Sequence, residues 1–379
     1  MECGHGGLDA MRVAILMPLT VTWSRDVAIG LAGLGHEVHA IDFEGQVEGN
    51  YLRDRQDIHS PAISRLRRAI AGIHTIPGKN ISQMRYALYA PRLAKAFRQT
   101  KADILLTLWG GGFAAIAYLS GIRPYAVFVG GGDILRVSGL QKIASRKALS
   151  KASVVLANGD FFARRTQEFA PGASVVPLYY GIDPSKFMPG NPPSSPVVVL
   201  CTRGFSRPYN NGYLIQALAT MPSKVPDFRV VFASAGETLE ETKRLADSIL
   251  TPEMRRRVEF LNGVTDDVML ENLRRAHVYT SASLYDGTSI SLLEGLSCGL
   301  FPVLSDIPAN REWIYEGGCA GSLFPLSEPA SYGRALLQAI EDAELRARAG
   351  VLNRQAILDR ADSRKTCATL ASILNGVRA

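Results

Sequence analysis

Short apolar runs alternate with longer amphipathic stretches along almost the whole chain. Runs at Arg12–Met17, Asp103–Trp109, Tyr125–Val129 and Ser153–Ala157 are largely apolar and of strand length, and Glu37–Phe43 reads as a further strand. Between them the spacing predicts helices from Ser24 to Leu34 with Ser24 as the cap, from the glycines 110–112 to Ser120, from Gln141 to Ser150 and from Asp160 to Phe169. The pattern restarts at Val197–Cys201 and runs on through Phe228–Ala233, Arg257–Leu261, His277–Thr280 and Phe301–Leu304, with helices at 238–249 and 266–276. Amphipathic Ala/Leu-rich segments from Glu328 to Ala343 and from Glu344 to about Asn375 close the chain. Repeated strand, helix and strand predicts parallel α/β layers. A length of 379 residues exceeds one ordinary core, so two such domains are expected.

The densest chemistry lies between Phe260 and Trp313. A strand ending near Thr280 breaks into a glycine-containing loop at 285–288, a helix follows, and the strand Phe301–Leu304 closes a parallel β-α-β step. Asp286 sits in the loop and Glu294 eight positions later on the helix, so the two carboxylates can reach different parts of one ligand. Gly287, Thr288 and Ser289 offer backbone N–H groups at a helix N-terminus, where unpaired donors and the macrodipole favour a phosphate. The implied ligand carries phosphate and hydroxyls. A second reading stands beside this one: Ser291-x-x-Glu294 also matches a capping box, in which the glutamate only closes the helix end.

Other strand ends add to the picture. Gly130-Gly131-Gly132-Asp133 follows a strand directly, at the edge where open α/β sheets bind ligands, and glycine lets a ligand approach the backbone. Thr202-Arg203-Gly204 occupies the corresponding place after Val197–Cys201. No G-x-G-x-x-G joins the first strand to its helix, so a dinucleotide-dependent oxidoreductase is not supported. Trp23, in that first loop, reads as a packing aromatic or as a platform for a ligand. The Pro/Gly/Ser-rich residues 188–196 read as a linker.

The run Asp286, Glu294, Gly299, Phe301-Pro302-Val303, Ser305-Asp306 and Glu312 resembles the signature of the retaining nucleotide-sugar glycosyltransferases of family 4, the group 1 glycosyltransferases. Phe260-Leu261-Asn262-Gly263-Val264 and the helix after it are similar to the same template, and Gly181-Ile182-Asp183 with Phe187 resembles the family's hinge. The resemblance implies an α/β fold of GT-B architecture: two Rossmann-like domains facing each other across a cleft, with the C-terminal helix crossing back to the N-terminal domain. It implies an acceptor domain at 1–187, the linker 188–196, a nucleotide-sugar domain at 197–360 and the returning helix at 361–379.

The resemblance also implies roles. Glu294 would hold ribose hydroxyls and Asp286 a sugar hydroxyl, Arg203 and the amides around Gly287, Thr288, Ser289 and Ile290 the diphosphate, and Val264 the base. Gly131, Gly132 and Asp133 would face the donor sugar from the N-terminal domain. The chain departs from the family at three places. Leu19–Trp23 replaces a Gly-Gly loop, Asp286 replaces the usual first glutamate, and Asn210-Asn211 stands where a lysine belongs, leaving Arg207 as the nearest cation. The function implied is transfer of a sugar from a UDP- or GDP-sugar to a hydroxyl of a sugar, a lipid-linked or a small-molecule acceptor. No cofactor is implied, since the family uses the leaving phosphate as base and no Asp-x-Asp metal motif is visible. Two other readings share the pattern: a non-hydrolysing nucleotide-sugar epimerase, and a sugar-binding protein without turnover.

Composition narrows the setting. Five scattered cysteines form no C-x-x-C pair and the histidines no metal-ligand spacing, which argues against a disulfide framework and a zinc site and for a reducing cytoplasm. No apolar run has membrane-spanning or signal-peptide length, and Met11 is read as the natural start. The net charge of +7 belongs to the first half: residues 1–190 hold 22 Lys/Arg against 14 Asp/Glu, the remainder 20 against 21. Tyr51–Lys101 alone carries 11 basic and 2 acidic residues interleaved with apolar ones, a pattern that suits either a solvated helix face or an anionic membrane surface. With no nucleic-acid-binding motif beside the charge, nucleic acid is not an expected partner.

Overall fold

The computed structural model describes residues 9–19, 21–44, 61–77, 86–135 and 137–378. The chain divides into two compact units, residues 1–180 with 363–379, and residues 181–362.

The first unit alternates β1 (Arg12–Leu16), α1 (Thr22–Gly33), β2 (Glu37–Glu44), α2 (Pro61–Ala69), β3 (Gly72–Pro77), α3 (Tyr86–Thr100) and β4 (Ile104–Leu108). It continues with α4 (Gly112–Leu119), β5 (Tyr125–Val129), a short α5 (Gly132–Leu135), α6 (Gly139–Lys151), β6 (Val154–Ala157), α7 (Asp160–Phe169) and β7 (Val175–Pro177). The seven strands are parallel, in the order β3-β2-β1-β4-β5-β6-β7. β4 and β5 are buried at every residue, which is why their sequences are apolar runs rather than alternations.

The second unit runs β8 (Val197–Cys201), α8 (Asn211–Ala219), β9 (Phe228–Phe232), α9 (Leu239–Ile249), α10 (Pro252–Arg256), β10 (Val258–Phe260), α11 (Asp266–Arg275) and β11 (Val278–Ser281). It ends with α12 (Ile290–Ser297), β12 (Phe301–Ser305), α13 (Pro308–Ile314), β13 (Ser322–Phe324), α14 (Pro329–Glu341) and α15 (Ala343–Arg360). Its six strands are also parallel, ordered β10-β9-β8-β11-β12-β13. Each unit has its own apolar core. Residues 188–196, read as a linker, fall inside the second unit.

Three elements differ from the sequence expectation. α1 starts at Thr22 behind Val21, which supplies no side-chain cap, and Ser24 is buried within the first turn instead of capping it. The terminal helix expected from Glu344 is broken at Ala361-Asp362, where the Ile182 amide donates to the Ala361 carbonyl (2.9 Å) and Asp362 bridges to Ile182. The chain restarts as α16 (Ser363–Arg378), which packs on α1 in the first unit, the sulfur of Cys367 lying against Gly30, where a Cβ would collide with it. Finally, the basic segment 51–101 does not make one patch. α2 packs on α1, whereas α3 leads in the opposite direction along the sheet and packs on α4; right-handed crossovers therefore put Arg65, Arg67 and Arg68 on one face and Arg92, Lys95 and Arg98 on the other. Residues 51–60 and 78–85 of that segment lie outside the described residues.

The loop after β1 is held from two sides. Arg25 of α1, itself buried, donates through Nη1 to the Leu19 carbonyl (2.8 Å), and the Asp42 carboxylate accepts from the amides of Phe43 (2.8 Å) and Leu19. Desolvation outweighs those two bonds and pushes Asp42 up to about 7. The folded state thus keeps a proton that the unfolded chain releases near the ordinary carboxylate value. The stability this provides is complete below about pH 4 and is lost as pH rises through 7. Asp42→Asn, which cannot ionise, should match the wild type in urea unfolding at pH 4.5 and exceed it at pH 8; a gap of the same size at both would refute the assignment.

Candidate functional site

The loop between β11 and α12 places its polar groups at the C-terminal edge of the second sheet, beside the loop that follows β8. Ser289 is the N-cap of α12, its Oγ accepting from the Leu292 amide at 3.4 Å. The capping box on Ser291 and Glu294 is therefore not formed: Ser291 is already inside the helix, and three residues beyond the true cap stands Leu292. Gly287, Thr288 and Ser289 are buried at this helix start, Ile290 is its first residue, and Glu294 lies one turn in, half-buried.

Arg203 is the centre of the group. One guanidinium nitrogen donates to Ser289 Oγ (2.5 Å) and Ser291 Oγ (3.0 Å), and the other to Asp286 Oδ2 (2.5 Å). The ring of Tyr209 covers the guanidinium face with its centroid 3.9 Å away. The Arg203 side chain is 9% exposed and that of Asp286 22%, so this is a largely desolvated pair, anchored further by the Gly287 amide on the Asp286 carboxylate. Burial pushes the Asp286 carboxyl upward, while Arg203 and that amide pull it back. Tyr279 Oη shares a hydrogen bond with Ser291 Oγ (3.1 Å), tying β11 to the same network.

The sequence reading placed Arg203 and Asp286 on different parts of a ligand, and the structure bonds them to one another. It also draws in Tyr209, Tyr279 and Ser291, which that reading did not select. Ser291 was read only as a helix cap, and Tyr209 lies close behind Arg203 in the Arg207-Pro208-Tyr209 turn. At the place of the expected lysine, Asn211 is buried and its amide donates to the carbonyls of Arg203 and Gly204 (both 3.2 Å), fixing the arginine-bearing loop. Arg207 is exposed on the short 3₁₀ turn Arg207–Tyr209. Val264 is half-buried beyond β10 on the same sheet edge, two strands from β8, behind Asn262 and Gly263 in left-handed conformation (φ 56° and 91°).

His277 is structural. Its Nδ1 accepts from the Val198 amide (3.0 Å), so the proton sits on Nε2 and is donated to the Pro193 carbonyl (3.0 Å), and burial and Arg346 lower its pKa. In the first unit, Gly131 and Gly132 stand at the end of β5; Asp133 is within α5, and its side chain lies outside the described residues. Trp23 stacks on Tyr180 (centroids 4.0 Å apart) and touches Trp109 and Phe128, so it packs within an aromatic cluster. Among the described residues no group of three or more His, Cys, Asp or Glu is placed to hold a metal ion, and no helix is long and apolar enough to cross a membrane.

Two parallel sheets with helices on both faces define an α/β protein of GT-B architecture, and solved structures of that fold overlay nearly the whole chain. A sucrose-phosphate synthase from Thermosynechococcus elongatus superposes with a TM-score of 0.77 at 14% identity, over 97% of this chain and 99% of that one. Anabaena Alr3699/HepE, in complex with UDP and glucose, gives 0.74 at 16% identity over 97% and 100%. Residues 184–355, a little under half of the chain, match the family described as glycosyl transferases group 1. A phosphatidyl-myo-inositol mannosyltransferase of Mycolicibacterium smegmatis is 28% identical over 191 residues, 49% of this chain and 48% of that protein. EpsD of Bacillus subtilis is 26% identical over 155 residues, 41% of this chain and 39% of that one. The likeness to these curated relatives thus spans half of their length or less.

Removing one member of a desolvated ion pair leaves the other without a counter-charge. Arg203→Met should therefore cost about 3 kcal/mol of unfolding free energy, and adding Asp286→Asn should return part of it. Additive losses in the double mutant, measured by urea unfolding, would mean that the two side chains are not energetically coupled.

Proposed function

We propose that the chain is a retaining family 4 glycosyltransferase that moves a sugar from a UDP- or GDP-sugar to an acceptor hydroxyl, in the synthesis of a cell-surface polysaccharide, a glycolipid or a glycosylated metabolite. The observation that carries this is the Arg203 guanidinium held at the N-terminus of α12 by Ser289, Ser291, Asp286 and Tyr209. A leaving nucleoside diphosphate gains negative charge in the transition state. A cation already fixed by its neighbours stabilises that charge without reorganising, and the helix N-terminus adds to it. In this reading Glu294 binds the ribose hydroxyls, Asp286 a sugar hydroxyl, Val264 the base, and Arg207 supplies the second cation that the family takes from lysine. The leaving phosphate accepts the acceptor's proton, and no metal ion is assigned a role. UDP and glucose in the HepE structure and the mannosyltransferase relative support a hexose nucleotide as donor.

Release of nucleoside diphosphate from a panel of UDP- and GDP-sugars, with a thermal-shift screen of the same compounds, tests the reading. One nucleotide should raise the melting temperature of the wild type, Glu294→Ala should lose that response, Arg207→Ala should weaken it, and turnover should survive EDTA. A response that Glu294→Ala keeps would remove Glu294 from the site. Nucleotide binding with an altered sugar but no transfer product would favour the epimerase.

We further propose a cytoplasmic enzyme whose first unit touches the anionic inner face of the membrane. Consecutively packed α3, α4 and α6 contain no Asp or Glu, while Arg92, Lys95, Arg98, Lys142, Arg146, Lys147 and Lys151 are exposed on α3 and α6. Leu88, Leu119, Leu140 and Ile143 are exposed among them, the mixture of charge and apolar surface that an anionic bilayer attracts. The protein should co-sediment with phosphatidylglycerol-containing vesicles at low salt and not with phosphatidylcholine alone, and charge reversal at Lys142, Arg146 and Lys147 should abolish this. Absence of binding to the anionic vesicles would sink the proposal.

A further inference from the structure

At the opposite edge of the second sheet from Arg203, a cavity of about 580 Å³ opens between the segment preceding β8, the starts of β11 and β12, and α15. Two glycines give it its walls. A Cβ on Gly190 would collide with the Arg274 carbonyl, and one on Gly350 would press on the Gly299 carbonyl, so only glycine lets these elements approach so closely. Apolar groups, among them Pro189, Pro192, Leu300, Ala347 and Val351, line most of it.

Three guanidiniums, of Arg274, Arg346 and Arg354, also line the cavity, and no carboxylate does. Each is held by backbone oxygens. Arg274 donates to the Lys186 carbonyl (2.9 Å), Arg346 to those of Ala339 and Ile340 (2.6 and 2.8 Å), and Arg354 to those of Phe187, Ser297 and Pro184 (2.8, 2.8 and 2.9 Å). Carbonyls orient a guanidinium without neutralising it. A guanidinium has five N–H donors, so Arg274, with one of these bonds, and Arg346, with two, keep the most to spare. No ion pair involves any of the three among the described residues.

The neighbouring acids are committed elsewhere. Asp342 caps α15 through the Leu345 amide (2.7 Å), and Glu344 pairs with Arg348 (2.7 Å). His277 on the same wall is a neutral imidazole with both nitrogens bonded, so it adds no negative charge. The Cys298 thiol is pushed up to about 12, first by burial and then by Glu294, and is not a thiolate there. Burial lowers the pKa of Arg346, with only Asp342 opposing. Cations gathered in one cavity with no carboxylate at ion-pair distance among the described residues repel and are poorly solvated, and a bound anion relieves both.

We propose that this cavity is a second ligand site, which binds a small phosphorylated molecule with its phosphoryl group on Arg274 and Arg346 and its body against the proline and aliphatic wall. Planar guanidinium forks match phosphate oxygens, and the size and largely apolar lining are those of small-molecule sites. The proposal does not depend on the donor reading, whose residues lie at the other edge of the sheet.

Inorganic pyrophosphate is the probe, and hydrogen exchange of the full-length protein locates where it binds. Pyrophosphate should slow exchange in residues 297–300 and 343–355. Ala347→Glu introduces a carboxylate at an exposed helical position that tolerates it, and should weaken this binding about tenfold or more; Arg274→Gln should weaken it as well. Protection confined to residues 203–209 and 286–292, protection at 343–355 that survives Ala347→Glu, or no protection anywhere would each overturn the proposal.

Discussion

A guanidinium cannot be taken out of water unless its charge and its N–H groups are answered, and around Arg203 that constraint arranges one whole edge of the second sheet. Asp286 answers the charge, Ser289 and Ser291 take the remaining hydrogens they can reach, and Tyr209 covers the face. Each partner is then held in turn. Ser289 is fixed because it caps α12, Ser291 is fixed by Tyr279 of β11, and the carbonyls of Arg203 and Gly204 are clamped by the buried amide of Asn211. The result is a cation set at a helix N-terminus by side chains that are themselves held in place. The proposed sugar transfer would need this at the place where a leaving diphosphate develops charge.

Helix α12 bears the site because small residues let it pack tightly. Gly295 lies so close to Tyr279 of β11 that a Cβ would sit 3.1 Å from that side chain. The helix then stops within one residue. Gly299 adopts a left-handed conformation, its amide donates to the Leu296 carbonyl (3.0 Å) and the Leu300 amide to that of Gly295 (3.0 Å), the Schellman pattern that frees the chain to enter β12. The family's run of small residues before a glycine thus has a mechanical meaning. It seats the helix start at the strand ends and turns the chain straight back into the sheet. The same abrupt end leaves the Ser297 carbonyl to Arg354 and exposes Cys298 and Gly299 to the cavity on the far edge.

Charge is distributed by topology more than by position in the chain. Tyr51–Lys101 is one basic block in sequence, yet the sheet order reverses direction between β3 and β4, and the helices before and after that reversal cover opposite faces. α3 is separated from Arg65, Arg67 and Arg68 and linked through α4 to α6, whose basic residues lie some 50 positions further on and were not grouped with it. A surface of one sign arises from the fold without any single segment encoding it.

Most interior strands were legible because burial on both faces demands uninterrupted apolar runs, which periodicity detects. β3, β7 and β13 were not foreseen, and each is an edge strand, covered on one side only and joined through backbone bonds that leave little trace in side chains. The break before α16 was hidden from the residue pattern for a similar reason, although the family resemblance put a boundary at 360/361. Ala361 and Asp362 are held out of helix by Ile182, some 180 residues away, and only Asp362-Ser363, residue types that favour helix starts, hinted at it. At the candidate site, spacing identified Arg203, Asp286, the α12 N-terminus and Glu294, since each lies at a strand end or at a fixed helical offset. That Arg203 and Asp286 bond to each other, that Ser289 and not Ser291 caps, and that three arginines from distant helices share one cavity are long-range facts. By itself the sequence determined what each local segment could become, because period and residue type act over a few neighbours. Only the tertiary structure decided which charges meet, because that depends on strand order and on where glycine allows two backbones to close.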